Sequence, residues 1–194
     1  MRAIPILESD RLKIRPFINI DLEPLHQLKK NVGWVNPYNS KTEQFIQQQR
    51  WLEWNILNCE HLAQLGQPPY GDRAVVLKKS GQLIGSVGLG PCLDVYGLLP
   101  SLGGQADALA SAEVGLLWLI EPAHQGQGYA TEAAQTLIDY AFGTMRLNRL
   151  IATTEYDNLA SQAVMNKLGM TIERNPFTEP VWLQVVGILE NSIQ

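Results

Sequence analysis

The chain has 194 residues, 45% of them apolar, with a formal net charge of −4 and two cysteines. That length supports one sizeable domain over residues 1–194 with its own core. The mild negative charge gives a nucleic-acid role no electrostatic footing, and Cys59 and Cys92 lack both the number for a disulfide framework and the spacing for a metal site, so no metal is expected.

Met1 to Asp10 carries acids early and has no long apolar stretch, unlike a signal peptide. No apolar run approaches the roughly 18 residues needed to span a bilayer, so a soluble, cytoplasmic protein without a membrane partner is expected. Leu12, Ile14 and Pro16 alternate with Lys13, Arg15 and Phe17, the period of a first strand. Asp21 stands where an N-cap would open a helix carrying Leu22, Leu25 and Leu28. After the polar break Asn36-Pro37-Tyr38-Asn39, Ser40 and Glu43 have the spacing of a capping box. They open a long helix through Phe45, Leu52 and Ile56 to about His61, with Gln47, Gln48 and Gln49 interrupting its apolar stripe. Gln67 to Gly71 reads as a loop. Arg73–Lys78 and Leu83–Leu89 read as a hairpin turned at Ser80-Gly81. Gly90 to Ala110 is rich in Gly, Pro, Ser and Ala and shows no period, the pattern of a long functional or mobile loop.

The second half is more regular. Val114–Ile120 is short and apolar enough for a buried strand, and a Gly-rich turn follows. Ala130, Ala133, Ala134, Leu137, Ile138, Ala141 and Phe142 keep one helix face apolar for over three turns. Leu150–Thr154 is a further strand. Asp157 or Asn158 caps a short helix that Gly169 stops. Met170–Glu173 and Val181–Leu189 complete the strands.

The chemistry points to the turn Gln125-Gly126-Gln127-Gly128-Tyr129-Ala130. A helix N-terminus offers unpaired N–H groups and about half a positive charge. Two glycines just before it let the main chain approach a diphosphate closely. A plain tight turn accounts for the same glycines, because short glycine motifs are weak signals. A dinucleotide site is a third reading, with Glu155 ending the next strand as the ribose-binding acid. Against it, Thr131 stands where the third glycine belongs, Glu121 to Gln125 separate the glycines from the strand, and repeated βα units are missing.

The stretch Ala112 to Ala133 resembles the acetyl-CoA motif of the GNAT N-acetyltransferases, whose signature is Gln or Arg, two residues, Gly, one residue, then Gly or Ala; Gln125, Gly128 and Ala130 satisfy it. Asn158-Leu159-Ala160-Ser161 and Lys167-Leu168-Gly169-Met170 resemble the family's second CoA segment. Arg11 to Pro16 followed by Asp21-Leu22 is similar to the start of the branch that includes the ribosomal-protein N-terminal acetyltransferases. Residues 31–70 and 90–110 lie outside the resemblance.

The resemblance implies an α/β GNAT fold, a twisted mixed and mostly antiparallel sheet with two central splayed parallel strands, flanked by helices. It implies transfer of an acetyl group from acetyl-CoA to a primary amine, a peptide N-terminus or a small-molecule amine, by a monomer or homodimer. The pantetheine arm would pair with the first central strand, which ends at Leu119 and Ile120, and the pyrophosphate would lie on Gln125, Gly126, Gln127, Gly128, Tyr129, Ala130 and Thr131. Asn158 matches the family's CoA-contacting Asn, and would serve as a helix cap without any cofactor. Glu113 is the candidate general base, with Glu155 as the weaker alternative, and Ser161 the candidate group near the thiolate. Many relatives carry a tyrosine acid where this chain has Met165. That departure leaves an acyl-CoA-binding sensor of the same fold as the alternative. His124 reads as a solvated loop residue beside the glycines, and Trp51 and Trp54 as core, although they fall with Trp34 and Tyr38 where the family builds its acceptor pocket.

Overall fold

The computed structural model describes residues 5–67 and 70–192. Pro68 and Pro69 of the expected Gln67–Gly71 loop, and Met1 to Ile4 of the N-terminal reading, lie outside the described residues. The strands are β1 (Leu7–Glu8), β2 (Leu12–Pro16), β3 (Gly71–Leu77), β4 (Leu83–Asp94), β5 (Ser111–Ile120), β6 (Arg149–Thr154), β7 (Thr171–Arg174) and β8 (Val185–Glu190). The helices are α1 (Leu22–Asn31), α2 (Lys41–Gln64), α3 (Tyr129–Gly143) and α4 (Leu159–Lys167). The strands hydrogen-bond in the order β1-β2-β3-β4-β5-β6-β8-β7, mostly antiparallel, with β5 and β6 parallel and Gly115 opposite Ile151. This is the mixed sheet with a parallel pair between β5 and β6 that the sequence implied. Among the described residues no helix is long and apolar enough to cross a membrane.

The chain divides into two compact units. The first holds residues 5–67, 70–89 and 117–137, and the second residues 90–116 and 138–192. Strands β4 and β5 and helix α3 contribute residues to both.

In the first unit, Phe17, Leu25, Leu52, Ala74 and Val76 form a buried cluster with Trp51 half-buried against it. The Trp51 ring meets Phe17 edge-on at 5.5 Å. Ser40 and Glu43 make the expected capping box, Ser40 Oγ accepting from the Glu43 N–H and the Glu43 carboxylate from the Ser40 N–H. Helix α2 then runs past His61 to Gln64. Two side-chain expectations are corrected in this unit. Asp21 does not cap α1 with its side chain. It is 3% exposed, and its carboxylate accepts from the Arg15 guanidinium at 2.6 and 2.7 Å and from the Ile18 N–H at 2.9 Å. The buried ion pair consumes the acceptors a cap would need. Trp54 is 58% exposed and so is not core; the residues that α2 buries are Gln48, Leu52 and Asn55.

In the second unit, Tyr96, Leu98, Leu99, Ile151, Leu183, Val186 and Ile188 form one buried cluster. This corrects the reading of Gly90–Ala110 as one irregular loop. Strand β4 extends to Asp94, and 3-10 turns at Tyr96–Leu98 and Pro100–Leu102 carry Tyr96, Leu98 and Leu99 inward. Strand β8 starts at Val185, later than the expected Val181, because Leu183 enters the core from a turn.

Candidate active site

The first unit builds the glycine loop from the end of β5. A side chain at Gly85 of β4 would collide with the Leu119 carbonyl and the Ile120 side chain, so glycine there lets β4 lie close along Leu119 and Ile120. The chain leaves β5 through a 3-10 turn at Pro122–His124, and Gln125 reaches back, its Nε2 donating to the Ile120 carbonyl at 2.8 Å. That bond folds the loop against the strand it follows. Gln127 Nε2 similarly donates to the Ala123 carbonyl at 3.3 Å. Gly126 has φ +73° and Gly128 φ +81°, the left-handed region that L side chains disfavour. Nothing lies within 4 Å of where a Cβ on Gly126 would sit. Helix α3 then begins at Tyr129, so Ala130 and Thr131 fall in its first turn, where N–H groups have no intrahelical acceptor. A short, glycine-bent approach, the positive end of a fifteen-residue helix and two side chains already tied to carbonyls make an anion cradle.

Charged side chains brace this loop. Arg11 donates through Nη1 to the Gln127 carbonyl at 3.0 Å and through Nε to Glu132 Oε2 at 2.6 Å, with its guanidinium 4.3 Å from the Tyr129 ring centroid. Glu132 also accepts from the Ser9 hydroxyl at 2.7 Å and the Arg11 N–H at 2.9 Å. Burial pushes the Glu132 carboxyl up, but the bonds from Ser9 and Arg11 outweigh it and hold it below the usual carboxylate range. His124 is not a solvated loop residue. Its Nδ1 lies 2.9 Å from Glu121 Oε2, and Asn31 Nδ2 donates to the other Glu121 oxygen at 2.8 Å. The sequence reading missed Arg11 and Glu132. A three-group network over 121 residues of separation leaves no local signal, and only the acid in the first turn of α3 hinted at it.

The second unit carries Glu113, Asn158 and Ser161. Glu113, on β5, is gripped by Arg149 of β6, with Nη2 to Oε1 at 2.6 Å and Nε to Oε2 at 3.0 Å. Arg149 also donates to Glu190 at 3.1 Å. The hydrogen bond it donates to Glu113 is the main cause raising the Arg149 guanidinium further above its ordinary value. Asn158 caps α4, its Oδ1 accepting from the Ser161 N–H at 3.1 Å. Ser161 thus occupies the first turn of that helix. Met165 is fully buried, with its sulfur among the atoms that a side chain at Gly187 of β8 would meet. Glu155 follows β6 and accepts from Thr154 Oγ1 through a long 3.4 Å contact.

An acetyltransferase (GNAT) domain matches residues 11–171. The chain belongs to the GNAT acetyltransferase family. It is an acetyltransferase, and its α/β sheet with a parallel β5–β6 pair is the fold of the GNAT structures it resembles. Over 56 residues it is 46% identical to the uncharacterized N-acetyltransferase YnaD of Bacillus subtilis (strain 168), a match spanning 29% of this chain and 33% of that protein. The crystal structure of an acetyltransferase from Agrobacterium tumefaciens str. C58 superposes with a TM-score of 0.64 at 25% identity, covering 98% of this chain and 96% of the other. The RimL ribosomal L7/L12 alpha-N-protein acetyltransferase in complex with coenzyme A shares the fold, with a TM-score of 0.60 at 19% identity, covering 95% and 96% of the two chains. The GNAT match runs through both compact units.

Proposed function

We propose that this GNAT acetyltransferase moves the acetyl group of acetyl-CoA directly to a primary amine in a ternary complex. The observation that carries the reading is the loop Gln125–Thr131, with its left-handed glycines at 126 and 128 and the opening turn of α3. Its chemistry fits a pyrophosphate. Main-chain N–H groups and a helix dipole bind phosphate oxygens without a dedicated cation. Gln125, Gly126, Gln127, Gly128, Tyr129, Ala130 and Thr131 are the proposed pyrophosphate contacts. Leu119 and Ile120 are the proposed main-chain partners of the pantetheine arm. Asn158 and Ser161 are the proposed donor contacts at the start of α4.

The reaction needs an amine lone pair, a held oxyanion and a proton for the thiolate. The amine nitrogen attacks the thioester carbonyl carbon, the C–S bond breaks, one N–H proton goes to the base and the thiolate is left to take a proton. Glu113 is the proposed base, acting directly or through water while Arg149 fixes its orientation. Ser161 is the proposed donor near the thiolate. Met165 carries no ionisable proton, and its burial turns the usual tyrosine position over to packing. The missing acid is the observation behind the alternative reading, an acyl-CoA sensor without turnover. The acceptor is proposed by class alone, a peptide N-terminus or a small-molecule amine.

Calorimetric titration of acetyl-CoA into the wild-type chain and into Gly128→Val tests the donor assignment. A β-branched residue at φ +81° costs about 1–2 kcal/mol of backbone strain in the cradle, so binding is expected to weaken about fivefold to thirtyfold. Unchanged binding in the variant, or no wild-type binding at millimolar donor, overturns the reading. Release of free CoA thiol across an amine panel separates enzyme from sensor.

A further inference from the structure

We infer that Arg11 is a positioning residue for the donor, which sets the orientation of the Gln127–Gly128 peptide so that the Gly128 N–H faces the pyrophosphate. The inference rests on the donor reading above and adds to it a residue outside the glycine loop.

A trans peptide is planar, and its C=O and N–H point in opposite directions. Whatever holds the carbonyl of one residue therefore aims the N–H of the next. Arg11 Nη1 donates to the Gln127 carbonyl at 3.0 Å, which turns the Gly128 N–H to the side away from Arg11. A glycine-flanked peptide is otherwise free to rotate, because Gly128 at φ +81° has no Cβ to oppose a flip. The alternative orientation would aim a carbonyl oxygen into an anion site.

Arg11 can do this because it is itself fixed at several points. Its Nε and Nη2 both reach Glu132 Oε2 at 2.6 Å, and its own N–H reaches Glu132 Oε1 at 2.9 Å. Its Cζ lies over the Tyr129 ring, 4.3 Å from the centroid. Ser9 adds a hydroxyl donor to Glu132 at 2.7 Å. The guanidinium is thus neutralised by Glu132 and aimed by Tyr129, two residues of the helix whose N-terminus forms the cradle. A guanidinium whose charge is already matched is suited to orienting the loop rather than to binding phosphate itself. A Cβ on Gly128 would sit 3.5 Å from Arg11 Nη2, which shows how closely the side chain follows the main chain there.

The test compares two donors, acetyl-CoA and acetyl-pantetheine, which carries the same thioester without the pyrophosphate. The readout is the ratio of their kcat/KM values in wild type, Arg11→Met and Arg11→Lys, with the urea midpoint recorded for each. Methionine keeps an apolar stem and removes every donor; lysine keeps a charge and loses the fork. The ratio is expected to fall about tenfold in both variants, the weight of one preset hydrogen bond to a charged ligand, through KM for acetyl-CoA with kcat little changed. A purely structural role would lower both donors together and leave the ratio fixed, which overturns the inference. If Arg11→Met does not fold, the ratio in Arg11→Lys decides by the same criterion. A wild type that does not prefer acetyl-CoA overturns the donor reading itself, whereas a wild-type preference kept by both variants overturns only the role of Arg11.

Discussion

Arg149 closes on Glu113 with two hydrogen bonds, at 2.6 and 3.0 Å, joining the two parallel strands that carry them. The side chain of Glu113 is only 12% exposed. A carboxylate held in this way has a fixed direction, which a base acting through water needs. Glu113→Gln keeps the shape and removes the basic oxygen. With Glu113 as base, kcat is expected to fall about a hundredfold or more, with KM for acetyl-CoA within about threefold. Steady-state release of CoA thiol measures both. An unchanged kcat would remove Glu113 from the chemistry and leave the ion pair as a strand clamp.

Asn158 has a structural role that must be separated from a role in donor binding. Its Oδ1 caps α4 through the Ser161 N–H at 3.1 Å. Asn158→Ala should cost about 1 kcal/mol of stability through the lost cap. Asn158→Ser restores a capping oxygen but not the amide. If Asn158 also contacts the donor, the serine variant should keep wild-type stability while KM for acetyl-CoA rises about threefold to tenfold, the worth of one hydrogen bond. Equal KM in serine variant and wild type would leave Asn158 as a cap alone.

The segment Gly90–Ala110 tests the packing account. Leu99 is fully buried between two 3-10 turns, in one cluster with Ile151 and Val186. Leu99→Ala should cost about 3 kcal/mol, the usual size for truncating a leucine in a tight core, and guanidinium unfolding monitored by circular dichroism would show it. A change below about 0.5 kcal/mol would return the segment to the status of a loosely held loop.

Regular repeats were legible in the sequence and long-range partnerships were not. Helix α3 announced itself because Ala133, Ala134, Leu137, Ile138, Ala141 and Phe142 all had to be buried on one face, and all are. The Ser40–Glu43 box and the Asn158 cap were readable because a cap acts within three residues. Tyr96, Leu98 and Leu99 were missed because 3-10 turns bury residues without the period of a helix or a strand. Asp21 was misassigned because its carboxylate serves Arg15, a choice set by the fold of β2 against the next turn and not by local spacing. At the candidate site the glycine loop was legible as an anion cradle. Its bracing by Arg11 and Glu132, and the clasp of Arg149 on Glu113, depend on residues 121 and 36 positions apart in sequence.

Lys29 gives a pH test of the first unit. Its Nζ lies 3.6 Å from the centroid of the Trp51 ring, near the half-buried Asp72. Burial lowers the Lys29 ammonium to about 8 from an ordinary value of 10.5, with the Asp72 carboxylate pulling it back up. Between those two values the unfolded chain holds a proton that the folded chain has released. Stability therefore rises with pH through this window, and the penalty for burying the charge is present in full only below it. Lys29→Met removes the group and so removes the slope. Urea unfolding of both chains at several pH values across the window isolates the effect, because the other titrating groups cancel in the difference. Wild type is expected to gain on the variant steadily as pH rises. A flat difference would mean that the Lys29 ammonium stays solvated and charged, and that the contact with Trp51 does not desolvate it.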